Sequence, residues 1–175
     1  MKKKALFLDR DGIINVDHGY VYKIDNFEFM EGIFELVELF INAGYLIFIV
    51  TNQSGIGRGY YTQEDFTTLT DWMINGFKKE HIRIENVYFC PHAPEEKCQC
   101  RKPETGMIEQ TLTGYSLDLS HSWMIGDKQS DIDLASNAGI GSSIAIGERK
   151  ITGSTYSFRS ILECKAYLES KRVLN

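Results

Sequence analysis

Lys4-Ala5-Leu6-Phe7-Leu8-Asp9-Arg10-Asp11-Gly12 decides how this chain is read: an apolar run with the pattern of a buried strand ends on two aspartates one residue apart. An open α/β sheet presents ligands at the carboxyl ends of its strands, so both carboxylates would emerge beside a ligand. One could attack and the other could move a proton. Their spacing puts Asp9 and Asp11 on the same side of an extended segment, where Mg²⁺ would relieve their repulsion and orient a phosphate oxygen.

Outward from that strand, helix and strand patterns alternate. Ile33, Leu36, Val37, Phe40 and Ile41 recur at helical spacing, Gly44 ends that helix, and Leu46 to Val50 reads as the second strand. Thr62 and Asp65 have capping-box spacing before the stripe Phe66, Leu69, Met73 and Phe77. Tyr60 and Trp72 read as core or boundary residues. Asn86 to Phe89 is a third strand, with Met107, Ile108 and Leu112 inward on the next helix; Trp123 to Ile125 is a fourth, followed by a helix bearing Ile132, Ala135 and Ala138. Ser143 to Ile146 is a fifth strand, 147–157 a loop, and Phe158, Ile161, Leu162 and Leu168 lay a last helix on the core. The fold class is α/β: an open, mostly parallel, Rossmann-like sheet with helices on both faces. No repeat or linker divides the chain, so one domain over residues 1–175 is expected.

Composition fits a soluble protein, with 43% hydrophobic and 25% charged residues. A formal charge of -5, from 19 Lys plus Arg against 24 Asp plus Glu, argues against nucleic acid but leaves room for an anion where cations and amides converge. No apolar run reaches the ~18 residues of a spanning helix, and Leu6-Phe7-Leu8 is too short for a signal peptide. A cytoplasmic monomer without membrane partners is the expectation.

Polar groups follow the other strands. Asp127 and Asp131, beside Gly126, supply more oxygen ligands if the first and fourth strands are neighbours; the alternative is capping of the Ile132 helix. Thr51 and Asn52 could hydrogen-bond a phosphoryl oxygen, Lys102 could neutralise its charge, and Arg101 could grip a second anionic oxygen, although an Arg-Lys pair is commonly a solvated surface feature. Three of the four cysteines, Cys90, Cys98 and Cys100, fall with His92 between residues 90 and 100. Three thiolates and an imidazole suit a closed, tetrahedral Zn²⁺ site, the alternative being a redox pair beside an unrelated histidine. Cys164, His81 and His121 stand outside any such motif.

The order of Asp9-Arg10-Asp11-Gly12, Thr51-Asn52, Lys102 and Gly126-Asp127-Lys128-Gln129-Ser130-Asp131 resembles the haloacid-dehalogenase-like phosphohydrolases. Asn15-Val16-Asp17-His18-Gly19-Tyr20-Val21, Ile24-Asp25-Asn26-Phe27-Glu28-Phe29, Thr51 to Gly59 and Cys90-Pro91-His92 resemble the heptose-bisphosphate phosphatases within them, which lack a large cap domain.

The resemblance implies that Asp9 is the nucleophile and Asp11 the general acid/base, with Thr51 and Lys102 stabilising the phosphoryl group. It implies Mg²⁺ held by Asp9, the Asp11 carbonyl and Asp127 with support from Asp131, and a structural Zn²⁺ on Cys90, His92, Cys98 and Cys100. It assigns a phosphorylated heptose to Asp17, His18, Gly19, Tyr20, Asn52, Gln53, Ser54 and Arg101, with Lys128 at the remote end of the sugar or on the acidic cluster. A shorter interval between His92 and Cys98 also resembles histidinol-phosphate phosphatases, and a noncatalytic sugar-phosphate-binding protein is the other alternative. The 15–29 stretch favours the heptose enzymes.

Overall fold

The computed structural model describes residues 1–174. Six strands form one sheet in the order β3-β2-β1-β4-β5-β6, with every neighbouring pair parallel. They are β1 (Lys4–Leu8), β2 (Tyr45–Asn52), β3 (Asn86–Cys90), β4 (Trp123–Gly126), β5 (Ser142–Ile146) and β6 (Tyr156–Phe158). The connecting helices are α1 (Ile33–Asn42), α2 (Ser54–Gly57), α3 (Gln63–Lys79), α4 (Gly106–Gly114), α5 (Gln129–Ala138) and α6 (Ile161–Lys171).

Strand periodicity divides the core into two layers. Leu6 and Leu8 of β1 pack with the faces of α1, α3 and α6, while Ala5 and Phe7 pack on the opposite side with α4 and α5. All nine residues from Ala5 to Ile13 except Asp11 and Gly12 are buried, as a central strand covered on both faces requires. Thr62 accepts from Asp65 N and Asp65 accepts from Thr62 N, completing the expected capping box of α3, and its stripe Phe66, Leu69, Met73 and Phe77 is buried.

Five expectations need correction. Residues 147–157 are not all loop and Phe158 is not on the last helix: Tyr156 begins and Phe158 ends β6, a three-residue edge strand too short for alternation to reveal. Leu112 is 41% exposed because α4 turns Thr111 inward, its hydroxyl satisfied by Met107 O. Leu162 is exposed because Ile161, Cys164 and Leu168 form the buried face of α6. Tyr60 is 55% exposed, whereas Trp72 sits at the boundary against Phe27 and Phe29.

The chain order reverses at β1, which has β2 on one side and β4 on the other. A crevice therefore opens at the carboxyl ends of these strands. Between β1 and α1, residues 9–32 carry only a 3-10 turn (Ile24–Asn26) as helix, so no large cap stands over the crevice.

Candidate active site

Asp9 follows β1 and is 4% exposed, with its N–H donating to Ile125 O of β4. Lys102 reaches it from the loop after β3: Nζ lies 2.8 Å from Asp9 Oδ1, 2.7 Å from Asp131 Oδ1 and 2.8 Å from Val50 O. Asn52, at the end of β2, holds this lysine by its backbone, accepting from Lys102 N at 2.9 Å and donating to Lys102 O at 3.3 Å. Its amide is thereby occupied, which explains an asparagine here by loop anchoring in addition to cleft lining.

Asp127 and Asp131 bring carboxylates from the β4 end, and one oxygen from each of Asp9, Asp127 and Asp131 lies within 4.8 Å of the others. Asp131 Oδ2 accepts from the N–H groups of Asp127 and Lys128, so it does cap α5, while its other oxygen meets Lys102. Capping and cluster membership coexist. Two glycines make room: a Cβ on Gly12, at φ +90°, would collide with the Asp127 carboxylate, and one on Gly126 with Asp131.

Asp9 and Asp131 share one buried ammonium while Asp127 meets Arg149, and the protonation equilibria follow. Burial pushes Asp9 up to about 8, aided by Asp131 and Asp127 and opposed by Lys102. Burial likewise raises Asp127. Lys102 is raised despite burial because Asp131 and Asp9 hold its charge. Among the described residues, Asp127 Oδ1 is buried without a hydrogen-bond partner, whereas Oδ2 meets Arg149 Nη1 at 2.5 Å. Hard carboxylate oxygens in excess of cations, one of them unpartnered, fit Mg²⁺.

Asp11 lives differently. Arg10 Nη2 at 2.9 Å and Asn15 Nδ2 at 3.0 Å donate to Oδ1, and Gln53 Nε2 at 3.1 Å donates to Oδ2. Burial alone would raise its pKa, but Arg10 and these amides outweigh it and hold the carboxyl below its usual range. Gln53 also donates to Thr51 Oγ1 and accepts from Tyr61 Oη at 2.5 Å. Thr51 is fully buried.

A cleft of about 270 Å³ lies above these groups, and Asp17, Gly19, Tyr20, Ser54, Arg101 and Lys128 contribute to its wall. Lys128 Nζ faces Asp17 at 3.7 Å across it, and Arg101 Nη1 is buried without a partner. His18, expected beside the sugar, pairs instead with Glu28 at 3.5 Å, and both are more than half exposed. Pattern reading passed over Arg10, Asn15, Tyr61 and Arg149. Arg10 within the Asp-Arg-Asp triplet was the available signal, since a guanidinium between two buried aspartates has ready partners.

The cysteine loop also converges. Cys90, His92, Cys98 and Cys100 place their donor atoms within 4.8 Å of one another, with Cys98 Sγ 3.4 Å from Cys90 Sγ and His92 Nδ1 3.2 Å from Cys100 Sγ. The three cysteines are free thiols. Burial works against ionisation of Cys98, yet hydrogen bonds from Cys90 and the Arg101 and Cys100 backbone bring it down to about 7. Burial instead raises Cys90 and Cys100, so only Cys98 leans towards the thiolate; three sulfurs and one imidazole nitrogen are nevertheless the donor set that suits Zn²⁺. The loop runs directly into Arg101 and Lys102.

A buried aspartate at the sheet's switch point, contacted by a lysine from the loop after β3 and faced by carboxylates from the β4 end, defines a haloacid-dehalogenase-like hydrolase. The family model described as HAD-hydrolase-like matches residues 99–146. The chain is 47% identical to the D-glycero-alpha-D-manno-heptose-1,7-bisphosphate 7-phosphatase of Campylobacter jejuni, over 99% of this chain and 100% of that protein. It is 44% identical to the D-glycero-beta-D-manno-heptose-1,7-bisphosphate 7-phosphatase of Helicobacter pylori strain 26695, over 95% and 94%. The chain belongs to the D-glycero-D-manno-heptose-1,7-bisphosphate 7-phosphatase family. Its fold is similar to the crystal structure of the D,D-heptose 1,7-bisphosphate phosphatase from B. bronchiseptica complexed with magnesium and phosphate, with a TM-score of 0.82 and 23% identity over 96% of this chain and 99% of that one.

Proposed function

We propose that this chain hydrolyses the C7 phosphate of D-glycero-D-manno-heptose 1,7-bisphosphate, releasing heptose 1-phosphate and phosphate through an aspartyl-phosphate on Asp9. The observation that carries the chemistry is the contact of Lys102 Nζ with Asp9 Oδ1 at 2.8 Å beside the Asp127 carboxylate. The family's substrate, common to the Campylobacter and Helicobacter relatives, supplies the sugar.

Asp9 attacks phosphorus as the bond to the C7 oxygen breaks, and Lys102 with Thr51 stabilises the phosphoryl oxygens. Asp11 gives a proton to the leaving oxygen, then takes one from the water that cleaves the acyl phosphate. Its resting environment suits the second step: Arg10, Asn15 and Gln53 hold it ionised. The incoming phosphate dianion raises its proton affinity for the first step by like-charge repulsion.

Asp9, the Asp11 carbonyl and Asp127 would hold Mg²⁺, with Asp131 supporting them; the ion supplies charge neutralisation for phosphoryl transfer. Cys90, His92, Cys98 and Cys100 would hold a structural Zn²⁺ that fixes the 90–100 loop and hence Arg101 and Lys102. Arg101, Lys128, Asp17, Gly19 and Tyr20, with Gln53 and Ser54, orient the phosphosugar; His18 contributes from outside the wall. We take the active form to be a single-domain cytoplasmic monomer without nucleic-acid or membrane partners. Among the described residues, no helix is long and apolar enough to cross a membrane.

The test is Mg²⁺-dependent kinetics on the α and β heptose bisphosphates and histidinol phosphate in parallel. Preferred turnover of a heptose bisphosphate is expected. Preference for histidinol phosphate would overturn the substrate, and sugar binding without phosphate release would overturn the enzyme. Relatives carrying either anomeric name match at similar identity, so both anomers belong in the comparison.

A further inference from the structure

We propose that Tyr60, which lies outside the cleft wall, determines sugar affinity by holding Tyr20 upright as an aromatic face at the cleft mouth. The proposal rests on the phosphosugar reading above. Two aromatic pairs clasp the loop after β1 to the segment after α2. Tyr22 stacks on Tyr61 at 5.1 Å with an interplanar angle of 9°, and Tyr20 meets Tyr60 edge to face at 4.8 Å and 86°. Core packing accounts for the first pair, because Tyr61 is buried and its hydroxyl is used by Gln53.

The second pair has no such explanation. Tyr20 is 49% exposed and Tyr60 55%, so two large aromatic surfaces are left in water. Tyr20 also adopts φ +48°, a left-handed conformation that side chains with a Cβ avoid and that surrounding contacts must maintain. Tyr20 lines the cleft and Tyr60 does not.

What the pair offers is complementary to what the rest of the cleft lacks. The wall is otherwise built largely of charged and amide groups such as Asp17, Gln53, Arg101 and Lys128, which serve hydroxyls and phosphates; its other aromatic, Tyr61, is buried with its ring stacked on Tyr22 and its hydroxyl on Gln53. A pyranose also presents C–H faces, whose partial positive charge is attracted to the negative face of an aromatic ring. Tyr20 is placed to cover such a face, and Tyr60 is the residue that fixes its ring. Tyr60 is accordingly a positioning residue that acts through Tyr20 and contributes nothing to phosphoryl transfer.

Steady-state kinetics of the Mg²⁺-loaded full chain tests this with two substrates, D-glycero-D-manno-heptose 1,7-bisphosphate and acetyl phosphate, which has no ring. Tyr60→Ala is expected to raise KM for the sugar about 3- to 10-fold with kcat within about twofold, the signature of lost uniform binding. Acetyl phosphate kinetics should stay at the wild-type level. Tyr60→Phe should restore the sugar KM, because the ring and not the hydroxyl makes the contact. In a Tyr20→Ala background, Tyr60→Ala should add no further loss.

A wild-type KM in Tyr60→Ala, an equal loss on acetyl phosphate, or an undiminished effect without Tyr20 would each overturn the proposal while leaving the substrate reading intact. Wild-type enzyme that cleaves acetyl phosphate but not the sugar would overturn the substrate reading and this proposal together. Because Tyr60 is exposed, an unchanged melting temperature in Tyr60→Ala is expected alongside the KM shift; unfolding of Tyr60→Ala would shift the decision to Tyr60→Leu, for which the same KM rise is expected and a wild-type KM would overturn the role.

Discussion

Asp9 resists ionisation because it is buried, its partner Lys102 is shared with Asp131, and Asp127 lies close by. Asp9→Asn is therefore expected to abolish phosphate release while stabilising the Mg²⁺-free chain. In the folded state the Asp9 pKa is raised from 3.8 to about 8. Its favourable contribution is complete below 3.8 and is lost as pH rises through about 8. The melting temperature of Asp9→Asn relative to wild type should climb across that window and level off above it, by about 2–4 °C for each kcal/mol involved. Thermal melts in Mg²⁺-free buffers from pH 5 to 9 check this; a flat difference would mean that Lys102 satisfies Asp9 unaided. The position of Asp9 was legible in the sequence because an apolar strand running into a carboxylate has one physical reading. Arg10 was legible only as a cation flanked by two aspartates, since its burial appears only when Val21 O and Asp11 close around it, and Asn15 was not legible because its partner Asp11 lies four residues back across an irregular loop.

At the scale of elements, the strands that carry the site were readable and the ends of the sheet were not. β1, β2 and β4 are apolar runs each followed by polar residues, whereas β6 is three residues long and borrows its burial from Tyr167 and Trp123 across the fold. The 90–100 loop lies between these cases: its Cys/His cluster was visible, but its attachment to the site depended on β2, whose Asn52 grips Lys102 by both backbone groups. Cys98→Ala removes one of four donors and should lower both zinc content and thermal stability. Because Lys102 begins two residues past Cys100, kcat should fall as well, by about 10-fold or more, as for outer-shell disruption of metal sites. Elemental analysis and kinetics on the same preparation check it. Unchanged zinc stoichiometry would remove Cys98 from the ligand set, and zinc loss with unchanged kcat would show that Asn52 alone suffices to hold Lys102.

On the scale of the whole molecule, the parallel sheet gathers side chains from three strand ends that are far apart in sequence, and the sum of their charges predicts how metal binding depends on pH. Asp9 pairs with Lys102, yet its proton affinity remains high because burial, helped by the nearby Asp131 and Asp127 carboxylates, outweighs that pairing. Mg²⁺ competes with that proton, since only the carboxylate is a ligand. At pH 7, below the value of about 8 to which Asp9 is pushed, binding should release up to about one proton. Above about pH 9 the release should vanish, and below pH 7 the apparent affinity should weaken by up to tenfold for each further pH unit. Calorimetric Mg²⁺ titrations in buffers of different ionisation enthalpy measure this proton count directly. Asp127→Asn should abolish most of the binding, because it removes the carboxylate whose buried Oδ1 has no hydrogen-bond partner. A proton count of zero at pH 7 in the wild type would mean that Lys102 already holds Asp9 ionised, and the metal would then be recruited by Asp127 with no cost at the nucleophile.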